Sequence, residues 1–279
     1  MADYTFERYL SAKKTVDDRA LNRMVWATLQ ERLQSLQICH VLEVGAGIGT
    51  MAERVVDWHL FDRSMTYTGI DTNPQSIQVA QEQVATHMPQ NLQTHFQVAD
   101  ALTWYPTHHV DLLIANAFMD LVHFPTAMDH FKQLLKPQGL FYFTITFDGL
   151  TLLEPTIDPL IDTRIEALYH ADMDARENGT SGGSQAGRKL LRYLLQRADV
   201  DVLAVGASDW IVYPTSTGYE HDEAYFLRFI IDIMDRALSG HAELEDDLFA
   251  KWIQTRHSQI DQGELIYIAH QIDLLGQFT

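Results

Sequence analysis

The stretch VLEVGAGIGT, residues 41–50, joins an apolar run to a turn with a glycine at every second position. The apolar run is typical of a strand buried in a parallel sheet, and Gly45, Gly47 and Gly49 permit a tight turn into a helix. The next apolar stretch, YTGID, ends at Asp71. A strand, a glycine turn, a helix and a second strand ending in an acid are typical of an α/β nucleoside-binding site.

The spacing of these glycines separates two kinds of ligand. Dinucleotide-binding turns have the pattern G-x-G-x-x-G, in which the amino terminus of the helix faces a pyrophosphate. Here the third glycine comes one residue early, and Glu43 stands two residues before Gly45, where a carboxylate would repel a pyrophosphate. The pattern therefore favours an adenosyl ligand that carries positive charge and no phosphate, and a nicotinamide-dependent oxidoreductase is the weaker alternative.

Composition and charge limit the other classes of function. A chain of 279 residues with 46% hydrophobic residues can bury the core of one large α/β domain. A formal net charge of −18 disfavours binding to nucleic acids and to anionic membranes. We expect no secretory signal and no membrane span, because no stretch has the roughly 20 apolar residues that a span needs. The single cysteine, Cys39, can form no internal disulfide. Together with the expected lack of a targeting segment, this predicts a cytoplasmic protein.

Periodicity predicts seven strands, and the first five of them alternate with helices. This alternation predicts a doubly wound parallel sheet with helices on both faces. Before the first strand, residues 3–37 have helical spacing, and beyond Asp148 the simple alternation is lost. The predicted strands cover residues 38–46, 67–71, 94–101, 110–118, 139–147, 200–214 and 263–276.

With these motifs the chain resembles the class I, Rossmann-like, S-adenosylmethionine-dependent methyltransferases. The resemblance is strong over residues 36–150 and rests on pattern alone over 187–213 and 264–275. It implies a three-layer α/β fold whose sheet has seven mostly parallel strands, the last one antiparallel, within a single domain, 1–279. The helical segment 1–35 and the insertions 150–186 and 214–262 are predicted to be cap-like, since segments placed in this way form the acceptor pocket of related small-molecule enzymes.

The predicted cofactor is S-adenosyl-L-methionine, bound where the strands end. Ligands of open parallel sheets bind at the carboxyl ends of the strands, and the Asp71 carboxylate can accept hydrogen bonds from both ribose hydroxyls. The resemblance further implies that Glu43 lies near the methionine portion, that Asp100 accepts from the adenine amine, and that Asn116 lies below the sulfonium. The predicted cofactor-binding set is Glu43, Gly45, Ala46, Gly47, Gly49, Asp71, Thr72, Asp100, Ala101 and Asn116.

The catalytic and acceptor-binding residues are less specifically indicated. Methyl transfer depends mainly on alignment and electrostatics, and it needs a general base only if the acceptor must lose a proton. The candidate catalytic residues are His170 and Asp148, with His123 as a third. The predicted acceptor-binding residues are Asp172, Arg188 and Trp210, and no metal ligands are predicted. For two further sets of residues the sequence leaves two interpretations open. The loop residues Ser181 and Ser184 could bind the acceptor or belong to an ordinary surface loop. The aromatic residues could line the acceptor pocket or pack in the core: Tyr4, Tyr9, Trp26 and Tyr219.

The predicted function is S-adenosylmethionine-dependent methyl transfer to a small-molecule acceptor. The alternatives are a protein methyltransferase and a non-catalytic protein that binds the adenosyl ligand. The acceptor atom, which can be oxygen, nitrogen, carbon or sulfur, stays open, as does self-association into a homodimer.

Overall fold

The structure, a computed structural model, describes residues 5–87, 89, 91–176 and 182–279. Tyr4 and Ser181, two residues of interest in the sequence, lie outside these ranges. Within them, no helix combines the length and the apolar character that crossing a membrane requires. The helices are α1 (Phe6–Ala20), α2 (Arg23–Leu33), α3 (Thr50–Asp57), α4 (Pro74–His87), α5 (Phe124–Leu134), α6 (Pro159–Ala175), α7 (Ala186–Gln196), α8 (Glu223–Leu238) and α9 (Asp246–Asp261).

The strands form one sheet in the order β3-β2-β1-β4-β5-β8-β6, and the short β7 also pairs with β8. Neighbouring strands from β3 to β5 are parallel, whereas β8 is antiparallel to β5, β6 and β7. The predicted doubly wound sheet with a late antiparallel strand is therefore confirmed. The strands are β1 (Ile38–Val44), β2 (Ser64–Asp71), β3 (Leu92–Val98), β4 (Val110–Asn116), β5 (Leu135–Glu154), β6 (Val200–Ala207), β7 (Trp210–Val212) and β8 (Ile266–Phe278).

Two strands differ from the sequence-based expectation. The strand predicted over residues 200–214 is divided into β6 and β7 at Ser208-Asp209. Asp209 accepts a hydrogen bond from the backbone of Gln271 at 3.3 Å, and the Ser208 N–H donates to the Gln271 carbonyl at 2.9 Å, so the break is fixed by β8. In addition, β5 extends beyond both predicted ends: Leu135 pairs with Val110 of β4, and β8 pairs with β5 as far as Glu154.

The central strands are buried on both faces, as their continuous apolar runs predict. Along β4, Leu112 and Ile114 belong to the hydrophobic core on one face of the sheet, and Leu113 and Ala115 to the core on the other. Side chains alternate between faces along a strand, so a strand with a core on each side must be apolar at every position. Because helices cover both faces of the sheet, polar side chains of these central strands are found mainly where the strands end.

The amino-terminal helical stretch is two helices with different roles. Asn22 separates them: its side chain caps α2 by accepting from the N–H groups of Met24 and Val25, and its own N–H donates to Asp273 of β8. Helix α2 packs on the sheet against β6 and β8, whereas α1 contacts α8, α4 and β7. Only α1 therefore lies over the edge of the sheet where the glycine turn is found.

A buried ion-pair group holds α1 in that place. Arg54 of α3 is 1% exposed; its Nε donates to Asp18 at 2.5 Å, and its Nη2 lies 3.5 Å from Asp17. Asp17 also pairs with Lys13 at 2.7 Å and accepts from the Trp210 indole at 2.8 Å. A buried charge without its partners is strongly unfavourable, so these contacts fix α1 to both α3 and β7.

Replacing Arg54 by alanine is expected to lower the free energy of unfolding by about 3 kcal/mol, because the buried Asp17 and the partly buried Asp18 lose a partner. The matched control is Arg164→Ala, since Arg164 pairs with Glu243 on the surface with both side chains half exposed. That variant is expected to lose less than about 1 kcal/mol. Urea denaturation followed by circular dichroism measures both values, and equal losses would contradict the role assigned to Arg54.

Candidate functional site

The carboxyl ends of the central strands bring the predicted cofactor residues to one edge of the sheet. Strand β1 lies between β2 and β4, and Glu43 is opposite Gly69 on one side and Ile114 on the other. The glycine turn after β1, Asp71 at the end of β2 and Asn116 at the end of β4 are therefore neighbours. Asp71 is in register with Val98, so Asp100 follows two residues further along on the outer strand β3.

The glycine turn needs glycine for conformation and for space. Gly45, Gly47 and Gly49 have φ values of +68°, +51° and +85°, which side chains rarely adopt. A Cβ at Gly45 would lie 2.7 Å from the ring of Phe118, and one at Gly47 would lie 3.1 Å from Leu10 of α1. The turn is thus covered closely by a side chain from beyond β4 and by another from α1.

Asp71 is tied to the glycine turn by its carboxylate. Its Oδ2 accepts from the Gly47 N–H at 2.8 Å, and its Oδ1 accepts from the Asn73 N–H at 2.8 Å. Each carboxylate oxygen can accept a further hydrogen bond, and the side chain is only half buried. The neighbouring Thr72 is exposed. The arrangement presents a rigid pair of acceptors directly beside the turn.

The end of β3 combines an acid with an exposed apolar surface. Asp100 is exposed, and its Oδ1 accepts from the Leu102 N–H at 2.9 Å. Val98 is 54% exposed although it is apolar, and Ala101 is buried. A flat apolar group that carries an amine suits this surface, because Val98 can contact its face while Asp100 accepts from its N–H. The sequence did not single out Val98.

Glu43 lies beneath the turn and not on its open side. It is 2% exposed, and the Tyr67 hydroxyl donates to its Oε2 at 2.6 Å. Burial raises the pKa of Glu43 to about 8, although Tyr67 and the nearby Arg54 favour the charged form. The sequence argument placed a free carboxylate here; the structure places a carboxyl that is mainly protonated near neutral pH.

The end of β4 is shaped by a contact with β5. The Thr144 hydroxyl donates to Asn116 Oδ1 at 2.8 Å, and the Ala117 N–H donates to the Thr144 carbonyl at 2.9 Å. Ala117 has a positive φ of +51°, which turns the chain sharply as it leaves the sheet. Among the described residues nothing hydrogen-bonds to the Asn116 amide nitrogen, so this group is available to a ligand.

Two predicted active residues form an ion pair with each other. Asp148 is buried, and both of its oxygens accept from Arg188 Nε at 2.9 Å. The Arg188 N–H donates to the same carboxylate at 2.8 Å, and His270 Nε2 lies 3.8 Å from it. These contacts fix α7 to β5, so a catalytic or acceptor-binding role for Asp148 and Arg188 stays a prediction.

The remaining candidates are spread over several elements. His170 Nε2 lies 3.1 Å from the Thr151 hydroxyl, and burial lowers the pKa of this histidine. Asp172 pairs with Arg176 at 2.8 Å along α6, and Trp210 is buried against α1. The structure places the others as follows: His123 beside Thr126 at the start of α5, Ser184 against Asp174, Trp26 in the core between Trp58 and Tyr142, and Tyr219 bonded to the Leu265 carbonyl.

Sequence reasoning missed the residues that reach the site from other elements. Glu7 of α1 lies 3.4 Å from the Asn73 amide, next to the turn, and Tyr67 holds Glu43. Tyr67 shares a strand face with Gly69 and Asp71, so the two-residue period of β2 was a usable signal. No local signal indicates that α1 folds back over the turn.

A family model described as a methyltransferase domain matches residues 41–139, about a third of the chain. The matched segment runs from β1 to the first part of β5, and it includes the glycine turn, Asp71, Asp100 and Asn116. No curated protein matches the sequence of the chain.

Three solved structures share the overall fold at low sequence identity. Phosphoethanolamine N-methyltransferase 2 of Haemonchus contortus, in complex with phosphomonomethylethanolamine and S-adenosylhomocysteine, is 10% identical with a TM-score of 0.51. The match covers 98% of this chain and 57% of that one, so the chain spans a little over half of that protein's length. An S-adenosylmethionine-dependent methyltransferase of Thiobacillus denitrificans, in complex with S-adenosylhomocysteine, is 15% identical with a TM-score of 0.51, and 95% of this chain and 97% of that one are covered.

A protein of Bacillus halodurans described as a putative methyltransferase is 13% identical with a TM-score of 0.52, over 90% of this chain and 97% of that one. At such identities the likeness concerns the fold alone, and the match to the methyltransferase-domain model concerns residues 41–139. The resemblance to the class I S-adenosylmethionine-dependent methyltransferases is therefore confirmed: residues 41–139 carry a methyltransferase domain, and the chain has the class I fold.

Proposed function

We propose that the chain binds S-adenosylmethionine at the edge formed by the glycine turn, Asp71 and Asp100, and that it transfers the methyl group to a small-molecule acceptor. The observation that carries this proposal is the Asp71 carboxylate, which is bonded to the N–H of Gly47 at 2.8 Å within the matched methyltransferase domain. The paired oxygens are held at a fixed distance from the turn, as recognition of two vicinal hydroxyls requires.

The other groups of this edge fit the same ligand. The glycine turn lacks the side chains that would fill the space beside Phe118 and Leu10. Val98 offers an exposed apolar contact for adenine, with Asp100 beside it as the acceptor for the amine. Glu43 is buried beneath the turn and mainly protonated near neutral pH, so we assign it a hydrogen-bonding role from beneath the turn and not that of a free charge facing the ammonium group.

The chain's own contribution to methyl transfer is to align two reactants and to exclude water. The bound cofactor supplies a methyl group on a positively charged sulfur, which makes a protein nucleophile unnecessary. Leu10 and Phe118 contact the glycine turn from two sides and shield it from solvent. Alignment of the two reactants accounts for a large part of the acceleration in such displacements.

The helices that pack near the carboxyl ends of the strands favour a small acceptor. Helix α8 packs against both α1 and α6, and α1 is fixed by the buried Arg54 contacts. We therefore extend the proposal to a single domain, 1–279, in which α1 and the segments 150–186 and 214–262 enclose the acceptor. A cytoplasmic location is part of the same proposal, supported by Cys39, a buried free thiol.

Asp71→Ala is expected to raise the dissociation constant for S-adenosylhomocysteine by about tenfold or more, because hydrogen bonds to a charged group contribute about 1.5–3 kcal/mol. Isothermal titration calorimetry measures this. The control is Asp62→Ala, which removes the same charge from an exposed side chain near the end of α3. Absence of saturable binding by the parent, or parent-like binding by Asp71→Ala, would defeat the proposed cofactor site.

Glu43→Gln is expected to remove part of the pH dependence of stability. The pKa of Glu43 is about 8 in the folded chain and near 4.5 when unfolded, so between these values the folded state holds a proton that the unfolded state releases. The parent's free energy of unfolding should therefore fall as pH rises from 5 to about 8.

Urea denaturation at several pH values between 5 and 8.5 tests this. The slope attributable to Glu43 should be absent in Glu43→Gln and retained in Glu31→Gln, which replaces an exposed glutamate of α2. If the parent and Glu43→Gln lose stability equally over this range, Glu43 is not the buried protonated group described above.

A further inference from the structure

A cavity of about 230 Å³ lies between the end of β5 and the helices α6, α8 and α9. The residues that it takes from β5 begin at Thr151, beyond Thr144, which is the last residue of β5 paired with β4. None of the described residues that line it belongs to the glycine turn, to β2 or to β4. We call it the α6–α9 cavity; its lining includes Leu153, Ile165, Glu166, Met234, Trp252 and Arg256.

Arg256 lies in the wall of this cavity with one donor unused. Its side chain is fully buried, its Nη2 donates to Asp162 at 2.8 Å, and its Nη1 donates to the Pro155 carbonyl at 2.8 Å and to Gln259 at 2.9 Å. Its Nε is buried and bonds to no atom of the described residues. Buried N–H groups normally have an acceptor, so this Nε indicates a place for an acceptor atom of a ligand.

Asp162 neutralises Arg256 and has no capacity left for a ligand. Its Oδ1 accepts from Arg256 and from the Trp252 indole, the latter at 2.6 Å. Its Oδ2 accepts from the backbone N–H groups of Ile157 at 2.9 Å and Asp158 at 3.3 Å. These donors fill the four acceptor positions of a carboxylate. The pair of Asp162 and Arg256 therefore adds no net charge to the cavity.

Glu166 is a charge of the cavity that has no opposite charge beside it. It is half-buried, and its Oε1 accepts from the Thr151 N–H at 3.4 Å. No cation of the described residues pairs with it, and burial raises its pKa although the Thr151 hydrogen bond opposes this. A positively charged group at Oε2 would favour the ionised carboxylate. The other acid of the lining, Glu154, is exposed to solvent and accepts from the Thr156 N–H.

The remaining wall of the cavity is largely apolar, and the space is small. Leu153, Ile165 and Met234 line it, and Ile165 and Met234 are buried members of the core. A water molecule takes up about 30 Å³ in the liquid, so the cavity has room for about eight non-hydrogen atoms. A ligand of this size has a short aliphatic part and few polar groups.

We propose that the α6–α9 cavity binds a small aliphatic amino acid, whose carboxylate accepts from Arg256 Nε and whose ammonium donates to Glu166. Such a molecule carries both missing partners on one carbon atom, and its side chain would contact Leu153, Ile165 and Met234. A simple amine would leave Arg256 Nε without an acceptor, and a simple carboxylate would meet Glu166 without a cation. The site is separate from the cofactor edge, so this inference goes beyond the proposed function and does not depend on it.

Isothermal titration calorimetry of the parent chain with L-valine and with L-leucine tests this. Each amino acid has two matched analogues that lack one charged group. These are isobutylamine and 3-methylbutanoate for valine, and 3-methylbutylamine and 4-methylpentanoate for leucine. At least one of the amino acids is expected to bind saturably and about tenfold or more tightly than either of its analogues, because a hydrogen bond to a charged group contributes about 1.5–3 kcal/mol.

Variants of the two polar groups locate the ligand. Glu166→Gln is expected to weaken amino-acid binding by about tenfold, because the ammonium loses its ion pair. Arg256→Lys keeps the positive charge but removes Nε, and a similar loss is expected. The controls Glu31→Gln and Arg164→Lys make the same changes at exposed positions and should bind as the parent does. Circular dichroism shows which variants are folded, and Glu166→Gln decides the test if Arg256→Lys does not fold.

The outcomes separate this inference from the proposed function. If neither amino acid binds saturably, or each binds no better than its amine and its acid, the inference is wrong. Unchanged affinity in Glu166→Gln places the ligand elsewhere and overturns the site. Saturating S-adenosylhomocysteine is expected to leave amino-acid affinity within about twofold, and competitive displacement would assign the amino acid to the cofactor edge instead. If the parent binds an amino acid but not S-adenosylhomocysteine, the proposed function fails and this inference stands.

Discussion

The site depends on the two hydrogen bonds that the Asp71 carboxylate accepts from the backbone of Gly47 and Asn73. The first of them joins the turn after β1 to the end of the adjacent parallel strand β2 through one side chain. The turn, which has three positive φ values, is also tied to β2 by the Ala46 N–H, which donates to the Ile70 carbonyl at 3.0 Å. The same oxygens retain capacity to accept from a ligand, so the interaction that shapes the turn also prepares it for binding.

Helix α1 links this edge to the segments proposed to enclose the acceptor. Its residues serve three purposes along one helix: Leu10 covers Gly47, Tyr9 stacks on Phe229 of α8, and Asp17 joins the buried contacts of Arg54. Since Arg54 lies on the helix that follows the glycine turn, the turn and its cover are fastened to each other. Cofactor and acceptor would then be enclosed by the same element, which suits a reaction that requires two reactants to be aligned.

Most of the fold could be predicted because its signals are local. The glycine turn, the apolar runs of β1 and β4 and the alternation of strands with helices need no knowledge of distant residues, and the structure confirms them. What the sequence could not show depends on partners far along the chain. The pairing of Asp148 with Arg188, the burial of Glu43 by Tyr67 and the break before Trp210 are each set by another element.

A crystal structure of the chain with S-adenosylhomocysteine shows whether the adenosyl ligand binds against Asp71 and the glycine turn. We expect ribose hydroxyls within hydrogen-bonding distance of Asp71, adenine against Val98 with its amine at Asp100, and the sulfur near Asn116. Ligand density at another place on the molecule, or no density beside Asp71 at saturating ligand, would contradict this assignment.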